Sequence, residues 1–214
     1  KSMLAHVVYN CRSVSKDLIL VYSYHLEPYL KRFENDCTAF ALQKEQLGTA
    51  HAVNAARDYF DDHNCFAVIY GDNPLITSEI IADMFESLES SKSDAVTLAF
   101  EYDKPNSYGK IIVDENGGFE RIVEHKFASP EERKGKLCNS GIMSFAPGIL
   151  PNYITECLLT DSQNPNKEFY LTDIIEACRR DGKKVSYHYL KEWNKVLGVN
   201  TQEELQAANE IMNK

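Results

Sequence analysis

At 214 residues and 43% apolar composition, the chain can bury one substantial core, either as a single α/β domain or as two small ones. With 32 acidic against 23 basic residues, a net charge of −9, it lacks the basic balance of a nucleic-acid binder. A small anionic substrate stays open, because a metal ion and a few lysines can hold phosphates on an acidic protein. No run reaches the length of a membrane span, and the opening KSMLAHVVYN reads as helix rather than signal peptide.

In chain order, helical patterns over 3–14, 24–35 and 49–60 alternate with extended runs. LILVY (18–22) and CFAVIY (65–70) are almost wholly apolar, which predicts strands buried on both faces; TAFALQ (38–43) is a third extended run. A helix over about 78–90 leads into DAVTLAF (94–100). GKIIVD and FERIVEH then alternate around Asn116-Gly117, a hairpin signal. Ser129, Pro130 and Glu132 spell a capping box with proline at the first helical position. NSGIMSFA, a helix over about 172–181, VSYHYL and the strand-like KVLGV follow. The last helix starts at Thr201, with Glu204 completing its box and Leu205, Ala208, Ile211 and Met212 on one face. No repeat or linker is visible, so one domain over 1–214 with a doubly wound α/β sheet is expected. Six cysteines show no metal-ligand spacing and several lie in apolar runs, which reads as buried reduced thiols and a cytoplasmic location. The six histidines are equally scattered.

Ligands of open α/β sheets bind beyond the carboxyl ends of the strands, and two segments there carry unusual chemistry. Gln43 closes a strand, and Gly48-Thr49 opens the next helix. A glutamine amide offers both a donor and an acceptor to a uracil imide edge, glycine admits a flat base, and a helix start favours anions. The same residues also read as a helix cap and a surface glutamine. Tyr70-Gly71-Asp72-Asn73-Pro74 follows the second apolar run, where Asp72 could hold Mg²⁺ or simply form a turn. Glu124, Asn139 and Asn200 each sit where a strand ends or a turn begins, positions that serve equally for solvated or turn-forming side chains. Their order strengthens a sugar-reading role. His125 and Trp193 suggest only packing or surface positions.

Gln43, LGTAHA, YGDNPLI, YGK (108–110), IVEHK (122–126), NSGIM (139–143), NKEFYLTDII (166–175) and GVNT (198–201) together resemble one family. It is the uridyltransferase domain of the bacterial bifunctional N-acetylglucosamine-1-phosphate uridyltransferase/glucosamine-1-phosphate acetyltransferases, commonly called GlmU. The resemblance covers nearly the whole chain. It implies a Rossmann-like, GT-A-like mixed and mostly parallel sheet, with helices on both faces and a β-hairpin sugar-binding insertion. It also implies Mg²⁺-dependent transfer of a uridylyl group from UTP to N-acetylglucosamine 1-phosphate in the cytoplasm, giving the UDP-N-acetylglucosamine used for peptidoglycan and cell-wall synthesis. By the same resemblance, Gln43, Gly48 and Thr49 bind the nucleotide, and Asp72 and Asn200 hold the metal. Tyr70, Gly109, Glu124, Asn139, Glu168, Tyr170 and Thr172 line the sugar-phosphate site. No catalytic nucleophile is expected, since the substrate phosphate supplies it.

Two parts of the family pattern do not occur within the 214 residues. One is an opening strand with a Gly-rich loop, L-x-x-G-x-G-T-[RK]-M, and a later lysine, which grip the nucleotide phosphates. The other is the left-handed β-helix of the acetyltransferase, which drives assembly in the family; a homo-oligomer stays open. Lys1 to Leu4 match the start of the helix after that loop, and Ala50 stands where the family often has glycine. The resemblance therefore implies an N-terminally shortened domain, a slot between two apolar strands, and impaired turnover by these residues alone. Either these residues are a shortened product of a longer reading frame, or another segment fills the slot. A different sugar-1-phosphate nucleotidyltransferase, or a non-catalytic sugar- or nucleotide-binding remnant, are the other readings.

Overall fold

The computed structural model describes residues 1–159 and 168–212. Helix α1 (Met3–Val14) is capped by Ser2, whose side chain accepts from Ala5 N, and it buries Val7, Val8 and Cys11. Strand β1 (Ile19–Tyr22) pairs in parallel with β2 (Ala39–Leu42). Between them Tyr24–Phe33 is a 3₁₀ helix rather than the expected α-helix; Pro28 inside it lacks the N–H that an α-helical ladder needs. After β2 come α2 (Thr49–Ala55), β3 (Phe66–Val68), α3 (Ser78–Ser91) and β4 (Ala95–Glu101). The hairpin of β5 (Lys110–Val113) and β6 (Phe119–Val123) closes as expected, with Asp114 Oδ1 accepting from Asn116 N and Gly118 N. The short α4 (Pro130–Arg133) carries both halves of its capping box. Then follow β7 (Leu137–Phe145), α5 (Ile149–Leu159), α6 (Thr172–Arg180), β8 (Val185–Leu190) and α7 (Gln202–Met212).

The strands form two sheets. One is the β1–β2 pair. The other runs β6-β5-β7-β4-β8, with β3 also pairing antiparallel to β7. In this mixed sheet β4 and β8 are parallel, while β7 is antiparallel to β3, β4 and β5. Period-two alternation along β4 feeds two cores. Ala95 and Ala99 face α2, α5 and α6, whereas Val96, Leu98 and Phe100 face α1 and α3. Helices thus cover both faces of an α/β domain.

No strand among the described residues lies between β1 and β3. A cavity of about 1250 Å³ occupies that place, lined by β1, β3, α1, α2 and Leu150. This corrects the expected burial of LILVY and CFAVIY. Every residue of β1 and β3 keeps partial exposure, because each strand has a ladder partner on one side only. KVLGV is also corrected: Trp193–Val196 is a 3₁₀ turn followed by loop, tied down where Asn73 Nδ2 donates to Val196 O at 2.9 Å. The six cysteines are free, but Cys65 is exposed rather than buried, since it precedes β3 at the cavity edge. Trp193 packs edge-on against Tyr102 at 5.1 Å.

Candidate functional site

The start of α2, the carboxyl end of β3 and the loop before α7 meet beside the six-stranded sheet. A second pocket there, about 290 Å³, is near the lower end of small-ligand cavities. It is lined by Thr49, Tyr70, Asp72, Gly109, Glu124, Asn139, Tyr170, Thr172 and Asn200, residues that sequence spacing scatters over most of the chain. Gln43 lines the large cavity instead, which also touches Thr49, Tyr70 and Asp72, so the two spaces share a wall. Gly48 and Glu168 line neither. Lys167 and Asn166 of the NKEFYLTDII segment lie outside the described residues.

Asn139 shows how β7 presents a side chain. Its Oδ1 accepts from Thr97 Oγ1 at 2.7 Å and from Gly141 N at 3.0 Å, while its backbone N donates to Gly109 O at 2.8 Å. With the oxygen spent, the amide nitrogen is left as the group this nearly buried residue offers. Across the pocket Thr172 Oγ1 donates to Glu124 Oε1 at 2.8 Å, and Glu124 Oε2 sits beside Gly109. Tyr170 donates to Glu168 Oε2, which also pairs with Lys126 Nζ at 3.3 Å; that ammonium lies 4.7 Å from the Tyr170 ring. Glu168 therefore braces the wall from outside.

Tyr70 fits against Gly141, which has φ of +85° and whose Cβ would come within 2.4 Å of the ring. Only glycine tolerates both conditions. Burial pushes the Tyr70 hydroxyl well above the usual phenol range, keeping it protonated. Gly48, at φ +107°, is equally constrained: a Cβ would stand 2.4 Å from Phe169 O. Ala50 N donates to Phe169 O at 2.9 Å, Phe169 N to Leu47 O at 2.8 Å, and Leu171 N to Thr49 Oγ1 at 2.9 Å. These bonds stitch the start of α2 to the segment that leads into α6.

Asp72 and Asn200 converge over Gly198: a Cβ there would lie 3.6 Å from Asp72 Oδ2 and 3.4 Å from the Asn200 amide. Val199 N donates to Asp72 O at 2.8 Å, holding the two segments together. Burial raises the Asp72 carboxyl above its ordinary range, a backbone hydrogen bond offsets part of this, and Glu204 raises it further. Asp72 and Glu124 are the only formally charged side chains on the pocket lining among the described residues, so the site is acidic.

Sequence reasoning missed Asn73, Ser107, Tyr108, Ser140, Gly141, Val196 and Gly198 as pocket residues. Asn73 was legible only as a turn residue, yet it is buried with its Oδ1 unpartnered among the described residues. Tyr108 opens the YGK motif and packs edge-on to Phe100 at 5.0 Å. Packing rather than residue chemistry brings these groups in.

A family model described as nucleotidyl transferase matches residues 1–207. The chain is 34% identical over 216 residues to the bifunctional protein GlmU of Clostridium botulinum (strain 657 / Type Ba4), covering all of this chain and 46% of that protein. It is 36% identical over 197 residues to the bifunctional protein GlmU of Acetivibrio thermocellus, covering 92% of this chain and 42% of that one. The chain thus spans about half the length of these curated relatives. Among solved structures, a putative glucose-1-phosphate thymidylyltransferase from Bacillus anthracis superposes with a TM-score of 0.73 at 20% identity, covering 98% of this chain and 81% of that one. A 4-diphosphocytidyl-2C-methyl-D-erythritol synthase from Anaerococcus prevotii gives 0.71 at 14% identity, with 100% and 90% covered. At these identities the structural likeness is one of fold.

Proposed function

Because the chain belongs to the nucleotidyl transferase family, we propose that it serves transfer of a uridylyl group from UTP to N-acetylglucosamine 1-phosphate, with release of pyrophosphate. The family match and the GlmU relatives support sugar-1-phosphate nucleotidyl transfer as the class. The observation that carries the finer reading is convergence. Residues from segments as distant as Thr49 and Asn200 meet in one hexose-sized pocket beyond the strand ends. The domain reading is a single unit over 1–214.

In this reading the substrate phosphate attacks the α-phosphorus, and the protein positions the two substrates. The Asn139 amide nitrogen and the Glu124 carboxylate meet sugar hydroxyl and amide groups as donor and acceptor. Glu168 and Lys126 hold Tyr170 upright at the rim. No side chain needs to act as nucleophile. The phosphates would enter a pocket whose charged lining is Asp72 and Glu124, a repulsive arrangement without a cation. Asp72 and Asn200 offer hard oxygen donors that suit Mg²⁺, which keeps waters and substrate phosphates in its shell. Such an ion would neutralise charge on the reacting phosphates.

The test is pyrophosphate release from UTP and N-acetylglucosamine 1-phosphate with Mg²⁺, set against thymidine, cytidine and guanosine triphosphates and against glucose 1-phosphate. Preferred turnover of the first pair supports the reading. Preferred turnover of another pair assigns a different sugar-1-phosphate nucleotidyltransferase, and sugar-phosphate binding without turnover assigns a binding remnant.

A further inference from the structure

The Gln43 side chain closes β2 and reaches across to the first turn of α2. Its Nε2 lies 3.2 Å from Gly48 O and 3.2 Å from His51 Nδ1. A carbonyl oxygen can only accept, so Gly48 decides which way the amide faces: nitrogen inward, oxygen outward. Gly48 cannot drift to relieve this. Its backbone is pinned against Phe169, and its carbonyl also takes Ala52 N at 3.1 Å. The second amide proton then points at His51 Nδ1, which accepts it when the imidazole carries its proton on Nε2.

We propose that His51 is a positioning residue for base selection. With the Gly48 carbonyl it consumes both amide protons of Gln43, leaving only the Gln43 oxygen for an incoming base. The inference rests on the reading of Gln43 as a nucleotide-facing residue. It also alters that reading, because the sequence alone allowed glutamine to act as donor and acceptor together. A one-sided acceptor welcomes a ring N–H, as uracil presents at N3. It sets lone pair against lone pair where cytosine presents its bare N3. A site built around a fixed acceptor rejects the analogue lacking the matching donor, since a polar group is then left unpaired. Freed from His51, the amide keeps its bond to the Gly48 carbonyl but can pivot about it, so its second N–H is released and can turn toward a base that presents a bare ring nitrogen.

Two variants separate this from a packing role. His51→Leu keeps bulk and removes the acceptor, whereas His51→Asn returns an amide oxygen close to the place of Nδ1. Calorimetric titration of UTP and CTP into the chain and both variants should show the UTP-to-CTP affinity ratio falling about tenfold in His51→Leu. His51→Asn should restore the ratio. An unchanged ratio in His51→Leu, or an equal fall in His51→Asn, overturns the proposal while leaving the uridylyl-transfer reading intact. Binding of neither nucleotide by the unaltered chain overturns the nucleotide-facing reading of Gln43 and the selection role with it. Amide ¹⁵N spectra without nucleotide report the contact itself. The Gln43 Nε2 protons should exchange slowly in the unaltered chain and fast in His51→Leu, and equal exchange refutes the contact.

Discussion

β4 and β1 are both short apolar runs, yet they live in different halves of the molecule. β4 lies between β7 and β8, and all but its last residue is buried. β1 has β2 on one side and the large cavity on the other, and none of its residues is fully buried. The comparison teaches that an apolar run acquires a core only when neighbours supply both ladder partners and covering side chains. The halves also differ in what they hold. The small pocket grows on the closed sheet, where β7 sets Asn139 and Gly141 through backbone bonds. Gln43 hangs on the open half, where its backbone N donates to Tyr22 O at 2.7 Å while its side chain is held by Gly48 and His51 at the start of α2.

The largest expected effect tests that contrast on the closed side. Leu98 is fully buried in β4, and Leu98→Ala should lower stability by about 3–5 kcal/mol, the cost of lost transfer energy plus a cavity that a two-sided strand cannot close. Urea denaturation measures it; a loss near 1 kcal/mol would mean the closed half is as loose as the open one. Next comes Gly141→Ala. A side chain at φ +85° driven against the Tyr70 ring should cost about 2–3 kcal/mol and displace a pocket wall. Sugar-phosphate affinity should fall with stability, and an unchanged affinity would detach Tyr70 from the pocket.

The two halves also differed in how far the sequence disclosed them. The capping boxes at Ser129/Glu132 and Thr201/Glu204 were legible because their chemistry is local, and both form. Helix α5 lacked such a local signal, since Gly148 offers no capping side chain, although Ile149, Leu150, Tyr153, Ile154 and Cys157 recur at helical spacing and are buried. KVLGV misled because a short apolar run does not distinguish a strand from a buried turn. At the site, residue type pointed to Asp72, Glu124 and Asn139. Nothing in the sequence said that Asn139 would spend its oxygen on Thr97 and Gly141, or Gln43 its nitrogen on Gly48 and His51. Those choices depend on partners brought by the fold.

A smaller effect belongs to the joint between pocket and core. Asp173, one residue past Thr172, has its carboxyl raised to about 6. Burial is the largest cause, a backbone hydrogen bond at Tyr170 offsets part of it, and Glu176 and Glu124 add to it. The folded chain thus holds this proton more tightly than the unfolded one. The stabilisation it brings is complete below the ordinary carboxylate value and is lost as pH rises through about 6. Asp173→Asn should therefore stabilise the fold above that pH by on the order of 1 kcal/mol, a figure discounted for the partial solvent access of the group. The gain should vanish below pH ~4, where the aspartate is neutral in both states. Thermal melts across pH settle the sign, and a gain independent of pH would point to helix propensity instead.

The smallest effect is the sharpest test of the comparison. Leu20 occupies the middle of β1, keeps partial exposure, packs against the small cluster of Val8, Phe33 and Cys37, and also lines the large cavity. It undergoes the same chemical deletion as Leu98 in Leu20→Ala, so side-chain size drops out. What remains is the surroundings. A side chain packed on one side and open on the other forfeits fewer contacts when shortened than one enclosed all round, and deleting it enlarges an existing cavity rather than creating one. The expected loss is about 1 kcal/mol or less, against several for Leu98→Ala. A loss as large as that of Leu98 would mean that β1 is fully covered in solution, with its free edge paired. Because the two variants share one deletion and one assay, their difference measures what a second ladder partner contributes to an apolar strand.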